Sequence, residues 1–150
     1  MLTSKLKSFI SLPGGMGLGT RDANLTPDFA RVLGAMAVDD FNIKLFIDEP
    51  SSTRSLANMR DNQWIAFVIV DVMSAESYQF KGKFISAVKA NEQDMIFFNH
   101  YMKGFDDLVE AIGLNRGLIY DYPHTSMICI TMEVQEIFEQ TPKKGTGQKI

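Results

Sequence analysis

Residues 64–70 read Trp-Ile-Ala-Phe-Val-Ile-Val, an unbroken apolar run of β-branched and aromatic side chains. Successive side chains of a strand point to opposite faces of a sheet, and a strand with one wet face alternates apolar with polar. This one does not, so its outer side as well as its inner side needs cover. A helix or a second copy of the chain can supply it, and in a chain of 150 residues a homodimer is the more natural answer.

The rest of the chain supplies the company such a strand needs. Residues 16–20 and 29–38 read as two strands joined through the turn formers Asp22-Ala23-Asn24-Leu25-Thr26-Pro27. Residues 42–47 alternate Ile43, Leu45 and Ile47 against Asn42, Lys44 and Phe46, a third strand. Residues 78–89 and 126–138 complete a set of six with the run at 64. Two helical patterns interrupt it, a short one over 52–62 and a longer one from Asn91, where Phe97, Phe98, Tyr101, Met102, Phe105, Leu108 and Val109 recur at helical spacing. Asn91 and Asp94 mark its start, Gly113 its stop, and Gly104 is a point at which it could divide in two. Strands without regular β-α alternation argue for an antiparallel barrel with accessory helices in one domain spanning residues 1–150. Residues 1–13 and 142–150 have little to bury and are expected to be flexible.

The formal charge of −3 is spread over interspersed acids and bases, which excludes the basic face that drives nucleic-acid binding. The apolar run after Lys5 and Lys7 covers only residues 9–12, too short for a membrane span or a signal core, so the expectation is a cytoplasmic protein that binds no membrane. The lone Cys129, within Met127-Ile128-Cys129-Ile130, reads as a buried, inert thiol. His100 and His124 have no metal-ligand spacing and no nucleophile signature beside them.

Two stretches bear on ligands. Pro50-Ser51-Ser52-Thr53-Arg54 precedes a helical pattern, and hydroxyls, helix amides and a forked cation around one point can hold a phosphate. The same residues also make an ordinary helix cap with an arginine in water. The cluster Gly14-Gly15-Met16-Gly17-Leu18-Gly19-Thr20 lacks the Lys-Ser/Thr of a P-loop, having Thr20-Arg21 instead, and lacks the dinucleotide fingerprint spacing. It reads either as a thinly clad strand that a ligand or another backbone can approach, or as plain turn chemistry.

In order along the chain, these elements resemble the FMN-binding split-barrel family related to pyridoxamine 5'-phosphate oxidase. Met16-Gly17-Leu18-Gly19-Thr20 with Asp22 and Pro27 resembles that family's first strand and turn, and Thr53-Arg54-Ser55 with Met59 and Asn62 resembles its Ser-Arg-Lys helix start. Gln79-Phe80-Lys81-Gly82 and the closing Phe138-Glu139-Gln140-Thr141-Pro142 look like a smaller branch of it. The resemblance implies a mainly β, six-stranded antiparallel split barrel of Greek-key type with accessory helices, working as a homodimer. It implies FMN held by Gly19, Thr20, Arg21, Arg31, Ser52, Thr53, Arg54, Gln79 and Lys81, with Arg54 more important than Arg31. The implied activity moves electrons from a reduced nicotinamide to a small acceptor, and the alternative is a non-catalytic flavin or haem/tetrapyrrole carrier or sensor. Ala35 and Ser55 stand where the oxidase has lysines, Arg31 lies one position out of phase, and the oxidase's C-terminal extension has no counterpart before Ile150, so vitamin B6 oxidation is not expected.

Overall fold

The computed structural model describes residues 1–116 and 126–150. Its elements in chain order are α1 (Ser4–Ile10), β1 (Gly15–Arg21), β2 (Pro27–Arg31), β3 (Gly34–Ala37), β4 (Asn42–Asp48), a 3-10 turn (Pro50–Ser52), α2 (Thr53–Asn62), β5 (Trp64–Val70), β6 (Ser77–Lys89), α3 (Glu92–Ala111), β7 (Met127–Glu139) and β8 (Gln148–Lys149). The strands form one antiparallel sheet in the order β2-β1-β5-β6-β7-β4-β3, with β8 paired to β7.

The sheet must curl, because β2 and β3 lie at its opposite edges yet are separated in the chain only by Val32 and Leu33. Both are buried, and the Leu33 N–H donates to the Phe46 carbonyl as the chain crosses. This is the split-barrel shape expected, with more strands than the expected six: the run over 29–38 breaks at the crossing into β2 and β3, and the C-terminal segment adds β8. A single strand through 32–33 would have left the sheet open.

Leu18, Phe67, Ile69, Phe80, Leu45 and Ile130 fill the interior, and α2 plugs one end with Leu56 and Met59. The rings of Phe67 and Phe80, opposite one another across β5 and β6, stack at 5.7 Å. β6 pairs with β7 along almost its whole length through two irregularities, one between Lys81 and Gly82. A Cβ on Gly82 would lie 1.8 Å from the Glu133 carbonyl oxygen, so the bulge needs glycine there.

α3 lies on the outside of β3 and β4. Phe46, fully buried, stacks on Phe97 at 5.4 Å, and Gly34 lets the Tyr101 ring approach the β3 backbone. The helix opens with a capping box between Asn91 and Asp94, as its sequence indicated. It does not divide at Gly104. It runs unbroken from Glu92 to Ala111, and the missing side chain at Gly104 makes room for Pro13, whose Cγ would sit 3.0 Å from a Cβ.

The N-terminal segment, expected to be flexible, is instead the helix α1, capped by Thr3 and buried through Leu6, Phe9 and Ile10. Phe9 meets Tyr78 edge-on at 5.1 Å, while Lys5 pairs with Glu76 at 2.7 Å beside the Tyr78 hydroxyl. Among the described residues no helix is long and apolar enough to cross a membrane.

Candidate functional site

The cross-strand register sets the outer face of β2-β1-β5-β6 in two rows. Phe29, Gly19, Ala66 and Lys81 follow one another across the strands in one row, and Arg31, Gly17, Val68 and Gln79 in the next. Gly15 opposite Val70, and Arg21 at the end of β1, continue the same face. α2 packs against β1, β2 and β5 from the side of Thr20, α3 borders the Gly15-Arg31 corner, and on the outer face Ala66, Val68, Gln79 and Lys81 stay half-exposed. Glycine, alanine and valine make its floor low and flat, and cations stand at its margin.

Within this face lies a cleft of about 440 Å³ bordered by Gly19, Thr20, Arg21, Trp64, Ile65, Ala66 and Lys81. Lys81 Nζ lies 4.6 Å from the Phe138 ring centre, and Lys83 Nζ lies 3.7 Å from that of Trp64, so each ammonium sits over an aromatic face and Lys83 occupies one face of the indole. Arg21 is half-buried and donates from Nη1 to the Asp22 carbonyl at 3.2 Å.

α2 fixes the end of β1 that carries Arg21. Asn62 Nδ2 donates to the Arg21 carbonyl at 2.6 Å, and Asn58 Nδ2 donates to Thr20 Oγ1 at 3.1 Å. Ser55 Oγ donates to Asp28 Oδ2 at 2.6 Å and accepts from Thr20 at 3.4 Å. Asp22 closes the β1-β2 turn by accepting the N–H groups of Thr26 and Asn24. The Thr26 N–H foremost, then that of Asn24 and the Arg54 charge, hold the Asp22 carboxyl below the usual range.

Gly19, Arg21, Arg31, Gln79 and Lys81 of the sequence-predicted set thus share one outer face. Gly19, Thr20, Arg21 and Lys81 border a single cleft on it, whereas Arg31 borders another. The second cleft, of about 330 Å³, lies between β1, β2 and α3. The Phe29 ring stands beside it, folded across Gly17, where a Cβ would fall 2.3 Å from the ring edge. Gly17 therefore admits a close approach, and in this structure the group that approaches is Phe29.

The groups of segment 51–54 that could hold an anion lie in three different surroundings. The 3-10 turn runs directly into α2, so a further turn of backbone stands in front of the helix start. Ser52 is 2% exposed and makes no capping bond, and its hydroxyl has no partner. The Thr53 hydroxyl donates back to the Pro50 carbonyl at 3.2 Å. Arg54 reaches toward Asp22, 3.9 Å away. Ser52 is thus buried without a partner, Thr53 is tied to the preceding turn, and Arg54 lies toward the β1-β2 turn.

Sequence reasoning missed Trp64, Ala66 and Phe29 as neighbours of the site. The signal was the two-sided apolar pattern of β5, whose outer members lie level with Gly19 and Lys81 once the register is known. Cys129 is fully buried, and burial pushes its thiol up to about 12, which fits the inert thiol expected. His100 is exposed on α3, and His124 lies outside the described residues.

No protein-family model and no curated protein matches the sequence. Solved structures do match. An FMN-binding protein from Syntrophomonas wolfei superposes with a TM-score of 0.60 at 15% identity, over 95% of this chain and 88% of that one. HupZ of Group A Streptococcus superposes with a TM-score of 0.59 at 18% identity, over 99% of both chains. A Clostridium acetobutylicum protein related to general stress protein 26, of the pyridoxinephosphate oxidase family, gives 0.52 at 15% identity, over 90% of this chain and 84% of that one. The curled antiparallel sheet with its crossing at Val32-Leu33, set beside these neighbours, gives the chain the split-barrel fold of the pyridoxamine 5'-phosphate oxidase-like proteins.

Proposed function

We propose that this protein binds FMN on the bare outer face of β1-β5-β6 and, as a homodimer, passes electrons from a reduced nicotinamide to a small acceptor. The observation that carries the reading is the cleft in which Arg21 and Lys81 stand beside a flat Gly19-Ala66 floor and the Trp64 indole. A planar ring with an anionic tail matches those three features together. The printed names of an FMN-binding protein and an F420 reductase among the structural neighbours support a flavin-type ligand for this fold.

The cleft fits FMN on physical grounds. Glycine and alanine leave room for a ring to lie close to the backbone, the indole offers the face that Lys83 does not cover, and two cations on the cleft border suit a phosphate. Hydrogen bonds to charged groups contribute about 1.5–3 kcal/mol each, so two supply roughly 3–6 kcal/mol of the 8.2 kcal/mol that micromolar binding requires. Ring burial supplies the rest. A second copy laid on the Val68-Val70 side would add to that burial and cover the outer side of β5.

Bound flavin brings the hydride and electron chemistry; the chain's part is to bind, orient and shield it. Of the cleft's borders only Arg21 and Lys81 carry charge, and no acid-base pair stands there among the described residues. A flavin carrier or sensor is the second reading, favoured by that same lack. The haem alternative is less well supported, since the described borders of the cleft include no His, Cys, Met or Tyr to serve as an axial ligand.

Absorbance of the purified or FMN-reconstituted chain tests the binding, and anaerobic addition of NADH or NADPH tests the activity. Flavin bands that bleach with reduced nicotinamide are expected. Stoichiometric flavin that no nicotinamide reduces would leave the carrier, and a chain that takes up no flavin would end both readings. Light scattering at micromolar concentration is expected to give a dimer mass, and a monomer mass would remove the second copy from the site.

A further inference from the structure

The cleft beside α3 is a separate feature, and its chemistry differs from that of the flavin candidate. Met16, Val32, Leu33, Met102 and Phe105 give it apolar walls drawn from β1, the β2-β3 crossing and α3. Gly14 and Gly15 form part of its floor, with the Gly14 N–H donating to the buried Tyr101 hydroxyl at 3.2 Å. That hydroxyl in turn faces Met16 Sδ at 3.6 Å, so it is occupied within the wall. Among the described residues the only charged side chain on the border is Arg31, and it has no ion-pair or hydrogen-bond partner among them.

A cleft of about 330 Å³ lies at the lower end of small-molecule sites, which are mostly apolar with a few orienting polar groups. One guanidinium fork matches one carboxylate, two N–H groups to two oxygens, and the described border holds no second cation for the double charge of a phosphate. We infer that this cleft is a binding site for a small organic carboxylate with an aromatic or branched apolar body, the body against Leu33, Met102 and Phe105 and the carboxylate on Arg31. The inference does not rest on the flavin reading, because none of the residues bordering this cleft borders the other.

The site is tested by NMR titration of the full chain with 2-naphthoate and with its neutral counterpart 2-naphthalenemethanol, each with and without FMN. Naphthoate is expected to shift amides at Gly14, Gly15, Val32, Leu33 and Met102, whether or not FMN is present. Arg31→Gln, at an exposed position, is expected to weaken naphthoate about 10- to 100-fold, the worth of one charge-assisted contact, and to leave the alcohol unchanged. Lys81→Gln, in the other cleft, is expected to leave naphthoate binding as it was. No shift in the wild type, shifts confined to Gly19 and Lys81, displacement of naphthoate by FMN, or equal binding by Arg31→Gln would each overturn the inference. Naphthoate binding at Arg31 in a chain that takes up no FMN would sink the flavin reading and leave this one standing.

Discussion

The outer side of this sheet is built in two ways. Over β3-β4-β7 the outward residues are Phe46, Lys44 and Cys129, and α3 covers them with Phe97, Phe98 and the buried carboxylate of Asp94. Over β1-β5-β6 they are glycines, alanine, valines, Gln79 and Lys81, of which Ala66, Val68, Val70, Gln79 and Lys81 stay half-exposed. Large rings and a part-buried ion pair are what holds a helix here, whereas small side chains edged by cations leave room for something flat. On the function proposed above, the bare half of the sheet is the half that a partner or a ligand would cover.

Removing the largest group under α3 tests the covered half. Phe46→Ala is expected to cost about 3–5 kcal/mol, since the ring is fully buried against Phe97 and Phe98. Urea denaturation measures it, and a loss under 1 kcal/mol would mean that α3 does not seal that face.

The ion pair under the same helix gives a smaller effect with a definite pH signature. Burial pushes the Asp94 carboxyl up, but the Lys44 ammonium, 2.6 Å away, and the Asn91 N–H outweigh it and hold it below its ordinary value. A depressed carboxyl contributes stability in full above its unfolded value near 3.9, and the contribution is lost as pH falls through the lower folded value. Asp94→Asn is therefore expected to cost about 1.5–3 kcal/mol at pH 7, with variant and wild type converging in acid. A constant difference across pH 2 to 7 would assign the loss to packing.

On the bare half the same kind of change is expected to do little to the fold. Val68→Ala is expected to cost under about 0.5 kcal/mol in a monomer, and any larger loss should grow with protein concentration as a dimer interface would require. Gly17→Ala sharpens the point. Its methyl would only push aside the exposed Phe29 ring, 67% accessible, so stability is expected to hold while the chain's affinity for FMN changes. Parallel melting curves and flavin titrations separate the two effects.

Much of this organisation was legible in the sequence, and the residues show where it stopped. β4 announced itself by alternation, and α3 by helical period and its Asn91-Asp94 box, because in each a local pattern is reinforced by the face it buries. The break between β2 and β3 was hidden, since Val32 and Leu33 are as strand-like as their neighbours, and only closure of the sheet turns the chain there. α1 was missed because its apolar face is three residues on a seven-residue helix, too short to signal without Tyr78 to dock against. For the site, Arg21 and Lys81 could be picked out as candidates but not as neighbours, since register alone brings them to one cleft. Ser52, Thr53 and Arg54 had the right composition, and the 3-10 turn before α2, invisible in composition, buries Ser52 and ties the Thr53 hydroxyl back to Pro50.

The central claim is that the bare face, not the helix start, holds the phosphate of FMN. Fluorescence titration of Arg21→Ala, Lys81→Ala and Arg54→Ala with FMN and with riboflavin tests it most directly. Arg21→Ala and Lys81→Ala are each expected to weaken FMN by about 10- to 100-fold and riboflavin by much less, with Arg54→Ala near wild type for both. If Arg54→Ala weakens FMN selectively while Arg21→Ala and Lys81→Ala bind it as the wild type does, the phosphate lies at the helix start and the account is wrong.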